Sequence, residues 1–262
     1  KDSEKIKDDQ YSVLFIAHID DENGRIRTRR LFSDINTNAK SVSKGDRIII
    51  DEDDLNAIVA RKLYSSYDYF RGGQIISVSE QANLDREDTR YFTNLIGLHS
   101  VNKQLSELYK IPRTEKKNSK YNIDEFYSVV TNFYDFVIEN VNDYKSYFID
   151  KDLSLSQARE NNSYLLFRPI GLILIAKLYV YFIKNFSKEE FKEINKLSFV
   201  FPDSHLNKIL WNSGKMDVRM KNQKLAFQFT LYLLGKYPES KIDDLEKLYI
   251  EILRDDNARL PT

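Results

Sequence analysis

Residues 25–47 read RIRTRRLFSDINTNAKSVSKGDR, and we interpret the rest of the chain as organised around this basic stretch. It holds seven Lys and Arg residues against two Asp, whereas the 40 basic and 40 acidic residues of the whole chain cancel. A repeat of about 100° per residue over Asn23–Asn36 predicts an amphipathic helix. Its apolar side, which we expect to pack, carries Leu31, Phe32 and Ile35. Its polar side, which we expect to offer cations and an amide, carries Arg25, Arg29, Ser33 and Asn36.

The segment after Asn36 is rich in residues that favour caps and turns, and it predicts the end of the helix and a polar loop. We expect Lys40, Lys44 and Arg47 to project from that loop. Short polar side chains between cations suit a phosphate-rich partner, because hydroxyls and amides position phosphates while Lys and Arg neutralise them. The alternative is an ordinary solvated face, which is the more common role of a charge run.

The same stretch carries a resemblance to a known family. Residues 29–44, RRLFSDINTNAKSVSK, with SVLFIAHI before them and DEDDLNAIVARKL after them, resemble the DGQHR-domain family, and most closely its DndB branch of DNA sulfur modification proteins. The likeness continues through FSKEEFKEINKLSF and HLNKILWNSGKM in the second half of the chain. The DGQHR signature itself is absent. In the family it lies upstream, so we expect this chain to be the part C-terminal to that motif.

The resemblance implies a role in bacterial DNA phosphorothioate modification, where DndB-like members are DNA-binding regulators of the modification genes. It therefore implies double-stranded DNA as a partner. On this hypothesis the residues that contact phosphates are Arg25, Arg29, Arg30, Asn38, Lys40 and Lys44. Asn36 would cap the helix or reach a base edge.

Two alternatives stay open. The DGQHR fold is similar to ParB-type N-terminal domains, a group that includes both DNA binders and nucleotide hydrolases. A ParB-like enzyme of a modification or anti-phage defence system would bind a nucleotide beside the basic loop, with Asp34 placed for a metal ion or water. A third hypothesis is a scaffold whose helical half docks other DNA modification proteins.

Composition limits the chemistry. There is no Cys and there are only three His, which excludes disulfides and thiolate catalysis and makes a zinc site improbable. Acidic clusters at residues 20–22, close to His18, and at residues 51–54 can hold a metal ion. The simpler interpretation is that they precede predicted helices, where the helix dipole favours carboxylates. No phosphate-binding loop, dinucleotide fingerprint or hydrolase motif is present. We assign no catalytic residue, metal site or cofactor, and we expect a cytoplasmic protein.

The order of patterns predicts an α+β fold that is predominantly helical. Residues 1–112 form a small mixed part, the remnant of a ParB-like DGQHR domain, 113–121 a polar linker, and 122–262 a helical bundle. In the first part we predict strands at Tyr11–Ile19 and Gln74–Ser79, and helices at Leu55–Tyr67 and Thr89–Tyr109. We expect His99, alone on the latter helix, to be a packed or surface residue rather than a ligand.

The second half shows helical spacing almost throughout. Apolar residues recur every three or four positions along 122–141, which predicts an amphipathic helix. The most apolar segment is Tyr164–Lys184, but its uninterrupted apolar run covers only Pro169–Ala176, well short of the about 20 residues that a bilayer span needs. We interpret it as a buried central helix with Pro169 in its first turn. Ser187 and Glu190 form a capping box, and two further helices are predicted at Asn222–Tyr237 and Ile242–Arg254.

Overall fold

A computed structural model describes residues 19–39, 43–70, 75–78, 84, 89–110, 119–159, 164–212 and 215–261, with the side chains of 36–39 outside this description. Helix predominates in these residues, as the sequence predicts. The helices are α1 Glu22–Ala39, α2 Lys44–Ile50, α3 Leu55–Ser66, α4 Leu95–Leu105, α5 Lys120–Asn140, α6 Asn142–Lys145, α7 Leu155–Arg159, α8 Pro169–Asn185, α9 Lys188–Phe191, α10 Met220–Leu233 and α11 Ile242–Leu253. Short strand pairs complete the fold: β1 Ile76–Ser77 lies parallel to β2 Thr93–Asn94, and β3 Trp211–Asn212 lies antiparallel to β4 Lys215–Met216.

The centre of the fold is α8, the helix predicted from the apolar run at Pro169. Proline occupies its first turn, where the missing N–H costs no hydrogen bond. The helix is buried on most sides and packs against α4, α9 and α10. None of the helices in the described ranges is both long enough and apolar enough to span a bilayer.

The first and second halves of the chain share one apolar core. Helix α4 packs on α8, and α3 packs on α5. The rings of Phe70, Phe92, Tyr134 and Phe148 form a buried aromatic cluster that joins the two halves. Tyr67 strengthens the junction, because its hydroxyl donates to Asp135 Oδ1 at 2.7 Å. Most of the predicted linker at 113–121 lies outside the described residues.

One prediction about the first half needs correction, and another lies mostly outside the described residues. The helix predicted at Thr89–Tyr109 begins only at Leu95, because Thr93 and Asn94 pair with β1 and Asn94 caps the helix by accepting from Gly97 N at 2.7 Å. The predicted strand at Tyr11–Ile19 lies outside the described residues except for Ile19. Ile19 itself is 63% exposed, and the strand stays a prediction.

Helix ends in the second half follow local capping. Ser187 accepts from Glu190 N at 3.2 Å, which confirms Ser187 as the predicted cap, and its hydroxyl donates to Glu190 Oε2 at 3.0 Å. Helix α10 begins two residues before the predicted start and ends at Leu233, four residues before the predicted end. Its early end follows from Gly235, which adopts the left-handed conformation at φ 65° and bonds back to Tyr232 O.

Acid should destabilise the fold through His205. Its Nδ1 donates to Ser198 O at 3.0 Å, and burial lowers its pKa from 6.5 to about 4. His205 therefore takes up a proton at a higher pH in the unfolded chain than in the folded one. As the pH falls from 6.5 towards 4, this difference lowers the free energy of unfolding. Between about pH 7.5 and about pH 5 we expect His205 alone to account for a loss of about 2 kcal/mol in the free energy of unfolding, which is obtained by comparing urea titrations of the wild type and of a variant without this histidine.

The control is a His205→Gln variant, which has no proton to gain and should lose about 2 kcal/mol less over the same interval. Asp143 works in the opposite direction, because burial raises its pKa to about 6. That contribution is common to both proteins and cancels in the comparison. Equal pH dependence in the two proteins would contradict the prediction.

Candidate nucleic-acid interface

The basic stretch folds into two helices, α1 and α2, that lie against the turn leading into α3. The turn, residues 51–54, carries four carboxylates. Two arginines of α1 pair with it: Arg29 Nη1 lies 2.9 Å from Glu52 Oε1, and Arg30 Nη2 lies 3.1 Å from Asp53 Oδ1. At the start of the helix, Arg25 Nη1 lies 3.1 Å from Asp20 Oδ1. Three of the predicted phosphate-binding arginines therefore already hold carboxylates of the same chain.

These three ion pairs are of two kinds. Glu52 is buried, with 7% of its side chain exposed, so its pairing with Arg29 is shielded from solvent on one side. Asp20 and Asp53 are exposed, at 84% and 78%, and pairs of that kind contribute little to stability because water competes for both charges. Arg29 is thus a structural residue of this site, whereas Arg25 and Arg30 can exchange their partners at low cost.

Arg61 of α3 is the second arginine that contacts the buried Glu52 carboxylate. Its Nη2 lies 3.1 Å from Glu52 Oε1, and its Nη1 donates to Ile48 O at 2.6 Å and to Asp51 O at 2.8 Å. Burial lowers the pKa of Arg61, and the Glu52 carboxylate opposes that shift. One guanidinium on α3 therefore fixes the end of α2 and the acidic turn, and through Glu52 it positions Arg29.

The acidic turn also caps α3, which agrees with the interpretation that carboxylates before a helix stabilise its first turn. Asp54 caps α3 by accepting from Asn56 N at 2.9 Å, and its Oδ2 lies 2.7 Å from His99 Nε2. Burial raises the pKa of Asp54, but hydrogen bonds from His99 and Asn56 outweigh it and hold the pKa well below its usual range. His99 is thus a packed residue that supports the cap. Within the described ranges, no group of three or more His, Asp or Glu side chains could hold a metal ion.

The cations available for an outside partner are Arg27, Lys44 and Arg47. All three are exposed, and none has an acidic partner among the residues that the structure describes. Lys44 and Arg47 are three residues apart on α2 and therefore share one face of that helix. Arg27 and Arg47 were not among the predicted contact residues, although both belong to the basic stretch. In the sequence they look like the other arginines of the stretch. Only the ion pairs of Arg25, Arg29 and Arg30 in the structure show which cations are already engaged.

The predicted loop position of Lys44 and Arg47 is wrong. Ser43 accepts from Asp46 N at 3.1 Å and starts α2, which converts this part of the segment into helix. Helix α1 also runs three residues beyond the predicted end at Asn36. The side chains of Asn36 and Asn38, and the whole of Lys40, lie outside the described residues. Their predicted contacts with DNA stay predictions.

The packing of α1 also differs from the expected one, although Leu31 is partly buried as predicted. Phe32 and Ile35, which we expected to pack, are 59% and 47% exposed. The arginine side of the helix faces the acidic turn instead, because ion pairs to Glu52 and Asp53 hold it there. Asp34, the candidate for a metal or water in the nucleotide hypothesis, is exposed on α1.

Comparison with known proteins identifies the family. The family model of DndB, described as DNA-sulfur modification-associated, matches residues 1–234, which include the whole of the α1–α3 site and the helical core up to the end of α10. No curated protein and no solved structure matches the chain. The chain therefore belongs to the DndB family of DNA-sulfur modification-associated proteins.

Proposed function

We propose that this protein binds double-stranded DNA and regulates the genes of a bacterial DNA phosphorothioate modification system by occluding their promoter. The observation that carries the proposal is the set of exposed cations on α1 and α2, namely Arg27, Lys44 and Arg47, which lack acidic partners in the described part of the chain. Membership of the DndB family supports the link to DNA sulfur modification. Action on promoter DNA places the protein in the cytoplasm.

The ion pairs suggest that the cations of α1 and α2 have different roles in DNA binding. Arg27, Lys44 and Arg47 contact phosphates directly, because none of them has an ion pair within the described ranges that would have to break first. Arg25 and Arg30 move from Asp20 and Asp53 to phosphates as DNA approaches, since an exposed pair costs little to exchange. Arg29 stays on Glu52 and fixes the angle of α1. Lys40, Asn36 and Asn38, whose side chains lie outside the described residues, are proposed as further contacts with DNA.

A salt titration of DNA binding tests the proposal. The full chain is titrated against a duplex from the promoter of its own gene cluster and against a random duplex of equal length, over a series of salt concentrations. Each neutralised phosphate contributes about −0.9 to the slope of log affinity against log salt, so three to five contacts predict a slope of about −3 to −5. Promoter preference together with this slope would support a regulator. Absence of binding to either duplex at low salt would overturn the proposal.

A further inference from the structure

A groove of about 350 Å³ lies away from α1 and α2, where the end of α4 meets α8 and α10. Its first wall is one stripe of α8: Lys177, Val180, Tyr181 and Lys184. These positions follow the i, i+3, i+4, i+7 spacing, so they line one face of the helix. Such a stripe in an apolar helix normally packs against its neighbour, but here two of its four positions are lysines.

The opposite wall repeats the same spacing on α10, with Met220, Gln223, Lys224 and Phe227. Although α8 and α10 pack together, the two stripes leave open space between them at this end. Met220 stands at the mouth with 77% of its surface exposed. The groove is thus an amphipathic cleft with lysines on both walls.

Lys177 is the most informative residue of this groove. It lies in the middle of α8, the most apolar of the described helices, and is partly buried, yet it has no acidic partner in the described ranges. A cation placed in such surroundings loses part of its hydration without a compensating charge. An anion bound in the groove would supply that charge.

The neighbouring charges strengthen the positive character of the groove. Lys184 Nζ lies 2.6 Å from Glu107 Oε2, so that pair is neutral as a unit. Lys224 is exposed and, within the described residues, has no acidic partner. The lining therefore holds three lysines against one carboxylate, a surplus of two positive charges.

The apolar part of the groove suits a planar group. The rings of Tyr181 and Phe227 meet edge to face, with 5.7 Å between their centroids, and Met220 adds a flexible thioether at the mouth. Aromatic and thioether groups pack well against planar rings. The volume lies within the about 300–1,000 Å³ that is usual for small-molecule sites.

We propose that this groove binds a small anion with a planar body, such as a nucleoside monophosphate or an aromatic carboxylate. The anionic group contacts Lys177 and Lys224, and the planar body packs on Tyr181, Phe227 and Met220. The site is separate from the proposed DNA surface, which α1 and α2 provide.

The test is calorimetric titration of the full chain with AMP, adenosine, inorganic phosphate and indole-3-acetate. We expect AMP or indole-3-acetate to bind. Adenosine has the planar body without the anionic group, and phosphate has the anionic group without the planar body, so each should bind at least tenfold more weakly. AMP binding alone would identify a nucleotide site, and indole-3-acetate binding alone would identify a carboxylate site. Binding of none of these probes at millimolar concentration would overturn the proposal.

The variant Lys177→Met keeps the length of the side chain and removes its charge. It should lower the affinity for the bound probe at least tenfold, while Lys247→Met, on the exposed side of α11, should leave it unchanged. Because Lys177 forms no ion pair with any residue that the structure describes, K177M should unfold at the same or a higher urea concentration than the wild type. Unchanged affinity in K177M, or a loss of folding stability, would contradict the proposal, as would a fall in its affinity for duplex DNA.

Discussion

Replacing Arg27, Lys44 and Arg47 together by Glu should lower the affinity for duplex DNA on the order of 100-fold or more at low salt. These three side chains are exposed and have no acidic partner among the described residues, so each is available to a phosphate. The substitution removes three cations and adds three anions on the same surface. The slope of log affinity against log salt should become about 2.7 shallower, since each lost phosphate contact removes about 0.9. Fluorescence anisotropy with a labelled promoter duplex measures both quantities.

The control must carry the same change in net charge. Lys145, Lys241 and Lys247 are exposed on α6 and at α11, and their replacement by Glu should leave the salt slope unchanged. Arg29 is unsuitable for this test. Arg29→Glu would place a carboxylate beside the buried Glu52, and a loss of DNA binding would then reflect a displaced α1. An unchanged slope in the R27E/K44E/R47E variant would exclude this surface from the DNA-binding site.

Elements that depend on neighbouring residues were predictable from the sequence. The spacing of Phe126, Val130, Phe133 and Val137 predicts α5, and all four side chains are buried in it. Proline at the first turn of α8 and the Ser187 cap of α9 follow in the same way, because they satisfy backbone groups within one turn of the residue concerned. In each case the residues that cause the feature lie within the feature itself, so the sequence alone is enough to predict it.

Features that depend on distant partners were not predictable. The strand at Thr93–Asn94 exists because it pairs with Ile76–Ser77, a contact that helical periodicity does not encode. The orientation of α1 depends on the Arg29–Glu52 pair, whose members are 23 residues apart. The sequence located the basic surface, but the division of its cations into paired and available ones required the positions of Glu52 and Asp53.

Arg61→Met should lower the free energy of unfolding by about 3 kcal/mol, the lower end of the range for removing one partner of a buried ion pair. Three bonds of the guanidinium would be lost, those to Glu52 Oε1, Ile48 O and Asp51 O. Glu52 would keep Arg29, which is half exposed, and this remaining partner places the expected loss at the lower end. Urea unfolding followed by circular dichroism measures the change. Arg61→Lys should also destabilise, because one ammonium group cannot reproduce the planar fork that reaches all three acceptors.

The double variant Arg61→Met/Glu52→Gln separates the buried charge from the lost hydrogen bonds. If most of the cost of R61M comes from leaving the Glu52 carboxylate poorly compensated, neutralising Glu52 should recover about 1 kcal/mol or more of that cost. If the two carbonyls dominate instead, the double variant should be no more stable than R61M, because Ile48 O and Asp51 O lose their donor in both proteins. Either result would leave Arg61 as the anchor of the acidic turn. A loss below about 0.5 kcal/mol in R61M, the level of an ordinary surface substitution, would show that the turn holds α1 in place without it.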